Sequence, residues 1–127
     1  MLFRVDLGSP VPLGDQIAAT VRGAIADGTL RPGERLPAAR ALADSLGVNV
    51  HTVLRGYQRL REEDLIDLRR GRGAVVTGEQ PTARARLLEG VQNLVEEARA
   101  LGLSDEEVLS LVRTRLASRY SGAPYSA

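Results

Sequence analysis

The feature that most limits how this chain can fold is the turn "SLGVN" at residues 45–49, set between two short segments of helical periodicity. Ahead of it, "AARALADSLG" predicts a short helix with Leu42 and Leu46 facing inward and Gly47 ending it. Behind it, "VHTVLRGYQRL" predicts a second helix. At 100° per residue, Val53, Leu54, Tyr57 and Leu60 share one apolar face, which anchors the helix in a core. His51, Thr52, Arg55 and Arg59 lie opposite, with Gln58 towards one edge. Asn49 suits the N-cap, where a side-chain oxygen takes up a free backbone amide of the first turn.

The rest of the chain is punctuated in the same way. Leu13, Ile17, Val21 and Ile25 recur four apart, between Pro12, suited to the first helical position, and Gly28, suited to the end. "RPGERLP" reads as a turn and a short extended piece, because Pro32-Gly33 and Pro37 resist helix. Past residue 65 the period changes. Ile66 and Leu68 alternate with charged residues, "AVVT" resembles a second strand, and Gly71-Arg72-Gly73 suits a hairpin tip. "GEQPT" at 78–82 marks a boundary. Beyond it Leu87, Val91, Leu94 and Ala98 form one helical face with Leu88, Val95 and Leu101 beside them. Gly102 ends that helix, and Ser104 with Glu107 makes a capping box for the next. The expected fold is mainly α with a small β-hairpin wing. A winged helix-turn-helix domain occupies residues 1–78, a two-helix dimerisation region 83–119, and a disordered tail 120–127.

Composition narrows the function. At 127 residues, 43% hydrophobic and 26% charged, the chain reads as a soluble globular protein. No apolar run approaches the roughly 20 residues that cross a bilayer, and "MLFRVDLGSP" lacks a signal-peptide core. No membrane partner and a cytoplasmic location are therefore expected. Absence of cysteine excludes disulfides, thiolate zinc sites and cysteine nucleophiles. Net charge is only +1, but residues 35–61 hold five arginines against the single acid Asp44, and "RRGR" follows at 69–72. There is no lysine, and arginine alone offers the planar fork that fits phosphates and guanine edges.

Two short helices about a glycine turn, the second with polar groups at its start, match the helix-turn-helix plan. There the second helix enters the DNA major groove and its N-terminal residues meet base edges. The amides behind Asn49 can hold a phosphate. The arginine-tipped hairpin then becomes a wing, set against the backbone or in a minor groove.

At this point the residues resemble a known family. The span from Pro12 to Val76 is similar to the winged helix-turn-helix domain of the GntR family of bacterial transcription regulators. It carries PL-x-x-QI, G-x-L-x-PG-x-RLP, R-x-LA-x-x-LGV, TV-x-R-x-Y-x-x-L, LI and a G-x-G wing in order. The two-helix tail and the N-x-x-TV start of the reading helix resemble the YtrA-like subfamily, which has a small dimerisation appendage in place of a large ligand-binding domain. The resemblance implies repression of operons that, as a tendency, include ABC transporters. It also implies DNA contact by Arg35, Arg40, Thr52 and Arg55, and by a wing tip of Gly71, Arg72 and Gly73. Arg70 joins the wing set, and Asn49 and exposed His51 join the helix set. Ala38 and Ala39 stand where many relatives have serine, so a side-chain cap and a phosphate contact are missing. Val50 stands where many have arginine or proline, so it cannot read guanine but can touch a thymine methyl.

The blander readings are soon weighed. His51 is the sole histidine and lacks partner ligands, so no metal is expected. Gly71-x-Gly73 is followed by a strand, not the helix that a phosphate loop needs. Glu62-Glu63-Asp64 reads as a solvated face, with Arg59 and Arg61 available to pair with it. Asp105-Glu106-Glu107 reads as charge suited to a helix start. No nucleophile, base and orienting acid are grouped, so neither enzyme activity nor a cofactor is expected. The tail presents Leu87, Leu88, Val91, Leu94, Val95, Leu101, Val108, Leu109, Leu111, Val112 and Leu116, a stripe wider than one helix pair can bury. A second copy is the direct solution, giving a homodimer matched to a palindromic operator in double-stranded DNA; the alternative is that the helices fold back on their own winged domain. The tail leaves room for an unidentified small-molecule effector only between helices or across the dimer. A winged-helix protein-interaction module without DNA binding is the competing function.

Overall fold

The computed structural model describes residues 3–71 and 73–118, so Arg72 and the tail at 120–127 lie outside the described residues. The elements are α1 (Leu13–Ala26), α2 (Ala39–Leu46), α3 (Val50–Glu62), β1 (Ile66–Arg69), β2 (Gly73–Val76), α4 (Pro81–Ala100) and α5 (Asp105–Ala117). The chain forms two compact units, Met1–Glu89 and Gly90–Ala127.

In the first unit the four-residue spacing of α1 becomes a buried stripe. Ile17, Val21 and Ile25 are fully buried, and Leu13 is half-buried. Pro12 stands one position earlier than expected, at the N-cap, and Asp27 and then Gly28 close the far end. The stripe meets Val53, Tyr57 and Leu60 of α3, and Leu65, Ile66 and Val76 complete the same core. Two glycines let α1 and α3 approach closely. A Cβ on Gly56 would stand 2.8 Å from the Gly14 carbonyl oxygen, and a Cβ on Gly14 would stand 3.2 Å from that of Thr52. Phe3 and Val5 also pack on this core. The Gln16 amide holds the segment after them: its oxygen accepts from the Asp6 amide at 2.7 Å, and its Nε2 donates to the carbonyls of Asp6 and Val11.

α2 stops where the sequence requires. Gly47 takes a positive φ of 70°, the Val48 amide reaches the Ala43 carbonyl at 3.0 Å, and the Gly47 amide that of Asp44. These bonds satisfy two otherwise orphaned carbonyls. α3 closes with the same pair of bonds, Leu65 to Leu60 and Asp64 to Arg61, but with an aspartate, Asp64, at φ 61°.

The wing is an antiparallel hairpin in the register Ile66↔Val76, Asp67↔Val75, Leu68↔Ala74 and Arg69↔Gly73. Its other edge is covered. The extended segment around Arg35 bridges Val75, and backbone bonds of 2.8 Å join Gly33 to Val76, Val76 to Glu34 and Leu36 to Ala74. Flanked on both sides, Ala74, Val75 and Val76 are all buried. In β1 only Ile66 is buried, and Leu68 is exposed because the hairpin runs on past the core.

One expectation needs correction: Leu54 is not a core residue but is 43% exposed. It stands 100° from Val53, at the margin of a face centred between Val53 and Leu60. The position next to the core on the other side is taken by Gly56, which is buried.

α4 starts at Pro81 within the expected boundary. Its first turns belong to the first unit: Ala85 is buried in the core and Leu88 packs against it. Leu88, expected at a dimer contact, is thus already half covered by its own chain. Arg86 donates to the Ala26 carbonyl at 2.9 Å, capping the end of α1, and Arg84 donates to the Glu63 carbonyl. In the second unit Gly102 closes α4, with Leu103 bonded to Ala98 at 3.0 Å. The Ser104–Glu107 capping box opens α5 with both reciprocal bonds present. Among the described residues of this unit Ala98 alone is buried, and Val91, Leu94, Leu101, Leu109, Leu111, Val112 and Leu116 are exposed.

Candidate nucleic-acid interface

The start of α3 is built for display. Asn49 holds an extended conformation and its Oδ1 accepts from the His51 amide at 2.8 Å. With the oxygen engaged by the cap, the side-chain NH2 of the exposed Asn49 is the group left to donate. Burial of Val53, Gly56, Tyr57 and Leu60 turns the opposite side of the helix to solvent. His51, Arg55 and Gln58 are exposed there, Thr52 is half-buried, and Val50 is half-buried against the core. Thr52 and Arg55 border a shallow cleft of about 400 Å³ between the start of α1 and this face of α3.

The lower half of the helix differs. Arg59 pairs with Glu63 at 3.3 Å and approaches Asp15 at 4.0 Å, while Arg22 of α1 grips Glu63 with two bonds of 2.9 and 3.0 Å. The pairing of Arg59 with a carboxylate is as anticipated, but the dominant partner of Glu63, Arg22, lies 41 residues away and was not anticipated. Arg22 and Glu63 are both only 15% exposed, so their bidentate contact locks α1 to the end of α3.

Arg40 is exposed in the first turn of α2, whose N-cap position, Ala38, makes no side-chain cap, as the missing serine implies. The loop just before it is fixed from below. The Tyr57 hydroxyl donates to the Pro37 carbonyl at 2.7 Å, and burial pushes the phenol up to about 12. Arg35 is exposed on the strand-like segment that pairs with the wing, so the backbone ladder links it to Val75 and hence to the tip. Arg70, Gly71 and Gly73 are exposed at that tip, and Gly71 and Gly73 take positive φ of 81° and 72°. Arg69 leans on Asp67 at 3.5 Å.

The structure therefore gathers Asn49, Val50, His51, Thr52 and Arg55 on one half of one helix. Arg35 and the wing form a second, ladder-linked group, and Arg40 stands at the head of α2. Sequence reasoning missed Tyr57's partner, the Gly14–Gly56 approach, Gln16's clamp and the exposure of Leu54. Only Gln16 carried a signal, as a fixed polar residue inside an apolar motif.

This is the architecture of a winged helix-turn-helix DNA-binding module. The profile of the bacterial regulatory proteins of the gntR family matches residues 13–76, which covers all the elements just described from α1 to β2. The chain belongs to the GntR family and is a YtrA-like, DNA-binding transcription regulator. It is 36% identical over 107 residues to the HTH-type transcriptional regulator Rv1152 of Mycobacterium tuberculosis, a match covering 84% of this chain and 88% of that one. It is 30% identical over 96 residues to the HTH-type transcriptional repressor YtrA of Bacillus subtilis, covering 76% and 72%. Among solved structures it is similar to YtrA from Sulfolobus acidocaldarius, with TM-score 0.58 and 35% identity over 72% of this chain and 99% of that one. It is also similar to the AraR DNA-binding domain solved in complex with operator ORE1, with TM-score 0.51 and 27% identity over 60% and 95%. The family and these relatives are transcription regulators, not enzymes.

Proposed function

We propose that this chain is a cytoplasmic repressor that binds a palindromic operator as a homodimer. Residues 1–78 would read the DNA and 83–119 would hold the dimer. The observation that carries the reading is the first half of α3, where Asn49, His51 and Arg55 are exposed and Thr52 is half-buried beside them, away from the buried Val53, Gly56, Tyr57 and Leu60. Two such helices, one per subunit, would enter successive major grooves roughly 34 Å apart. In this scheme Arg40, Asn49, His51, Thr52 and Arg55 supply base and nearby phosphate contacts, and Val50 lies against a base edge. Arg35 and the wing, with Arg70, Gly71, Arg72 and Gly73, set the backbone. The name of the Bacillus subtilis relative supports repression, and the AraR–operator complex supports operator binding by a domain of this fold. The exposed apolar residues of the second unit support a second copy as their cover.

The test is selection of an operator from random DNA, followed by anisotropy titrations at two salt concentrations. Thr52→Ala or Arg40→Ala is expected to weaken operator binding by about 1–3 kcal/mol and non-specific binding by less. Arg70→Ala is expected to weaken both and to flatten the salt dependence by about one unit of slope. Equal losses on specific and non-specific DNA for Thr52 and Arg40 would show that they do not read sequence. Absent or salt-insensitive binding would replace the reading with a protein-interaction module.

A further inference from the structure

We propose that Leu54 is a specificity-determining residue of this chain, packing against the C5 methyl group of a thymine in the major groove. The inference rests on the reading of α3 as the DNA-contacting helix. Leu54 is the one large apolar side chain of that helix left exposed, at 43%, while Val53, Tyr57 and Leu60 are between 0% and 2% exposed. Its helical neighbours are Val50 four residues before it, His51 three before and Gln58 four after. His51 and Gln58 are exposed polar groups, whereas Val50 is half-buried against the core. Val50 and Leu54 therefore make a short apolar ridge along one flank of the polar face, within its first two turns.

The position of that ridge dictates what can cover it. The N-terminal half of the second helix is the part that reaches base edges in this motif. The thymine methyl is the one bulky apolar group on the major-groove edge; cytosine offers only a C5–H there, beside its N4 donor. Leucine has neither donor nor acceptor. Against guanine, cytosine or adenine it would strip water from polar atoms without replacing the bonds, and against a thymine methyl it buries apolar surface on both sides. Leu54 so acts in two directions, rewarding thymine and penalising polar edges at one step of each half-site.

The experiment replaces each thymine of the selected half-site, one at a time, with deoxyuridine, which deletes the methyl and nothing else. With the wild-type protein, one thymine per half-site is expected to weaken binding about fourfold on replacement, the effect of one methyl removed from burial. With Leu54→Ala, thymine and uracil at that position should bind equally, while the salt dependence and non-specific affinity stay as in the wild type. The proposal is overturned if no methyl matters to the wild-type protein. It is equally overturned if the sensitive thymine stays as sensitive in Leu54→Ala, or loses its sensitivity only in Val50→Ala. The wild-type arm needs no variant to fold. A chain with no sequence-specific binding would fail earlier, at selection, and would bring down the operator reading together with this inference.

Discussion

Tyr57 shows how one residue serves both core and site. Its ring is 2% exposed among the core residues, and its hydroxyl holds the carbonyl that precedes the uncapped start of α2. The sign of its titration follows. Burial favours the neutral phenol, so the folded pKa of about 12 lies above the ordinary value near 10. The corresponding stability is complete below about pH 10 and is lost as pH rises from about 10 to about 12. In an ultraviolet titration one of the three tyrosines should ionise late, and Tyr57→Phe should abolish the late phase. The same variant should lose about 1 kcal/mol in urea denaturation, one hydrogen bond to an otherwise solvated carbonyl. All three tyrosines ionising together near pH 10 would contradict the burial. The helical period made Tyr57's place in the core legible, but not Pro37, because nothing local links positions 20 residues apart. Leu54 shows the opposite limit. A period assigns angles, and a residue at the margin of a stripe goes in or out according to what packs beside it.

Among the elements, the helices were legible because their ends are chemically marked. Gly47, Asn49, Gly102 and the Ser104–Glu107 pair each act through bonds within a few residues, so the sequence carries the complete instruction. The wing was legible as a hairpin and "RPGERLP" as a turn with a short extended piece, but the pairing of Gly33–Leu36 with the wing as a third edge was not. That edge is made by backbone groups, which any sequence with the right turn can offer. Packing between α1 and α3 was invisible for the same reason. Gly56 reads as a weak helix former, whereas in the fold it is where the Gly14 carbonyl and Ile17 come closest. Gly56→Ala should therefore destabilise the protein by about 1–3 kcal/mol despite the better helix propensity of alanine, because the new methyl meets backbone that cannot swing aside. A raised urea midpoint would show that α1 yields at no cost. Operator affinity should fall as well, since α1 backs the half of α3 that carries Thr52 and Arg55.

On the scale of the whole molecule, the second unit sets the open question. A helix pair with one buried residue among those described has almost no core of its own, and its leucines and valines remain in water. A second copy of the chain relieves this, and predicts that sedimentation at micromolar concentration finds a dimer. Leu109→Glu with Val112→Glu should give a monomer with its helical content kept, because both side chains are already exposed within one chain. Operator affinity should then fall by a factor of roughly 10² or more, as two linked half-site contacts become independent. A wild-type monomer would sink the dimer, and with it the palindrome.

Sequence by itself determined the order of elements, their ends, most of the core stripe, the family resemblance and the half-helix on which the candidate reading residues stand. All of these depend on local chemistry or on a period that one strand of text contains. Only the tertiary structure decided that Leu54 faces outward, that Arg22 grips Glu63, that Tyr57 holds Pro37 and that Arg35 rides on the wing's second edge. Those are meetings between distant segments, fixed by how closely two glycines allow α1 and α3 to approach and by which backbone groups remain to be satisfied.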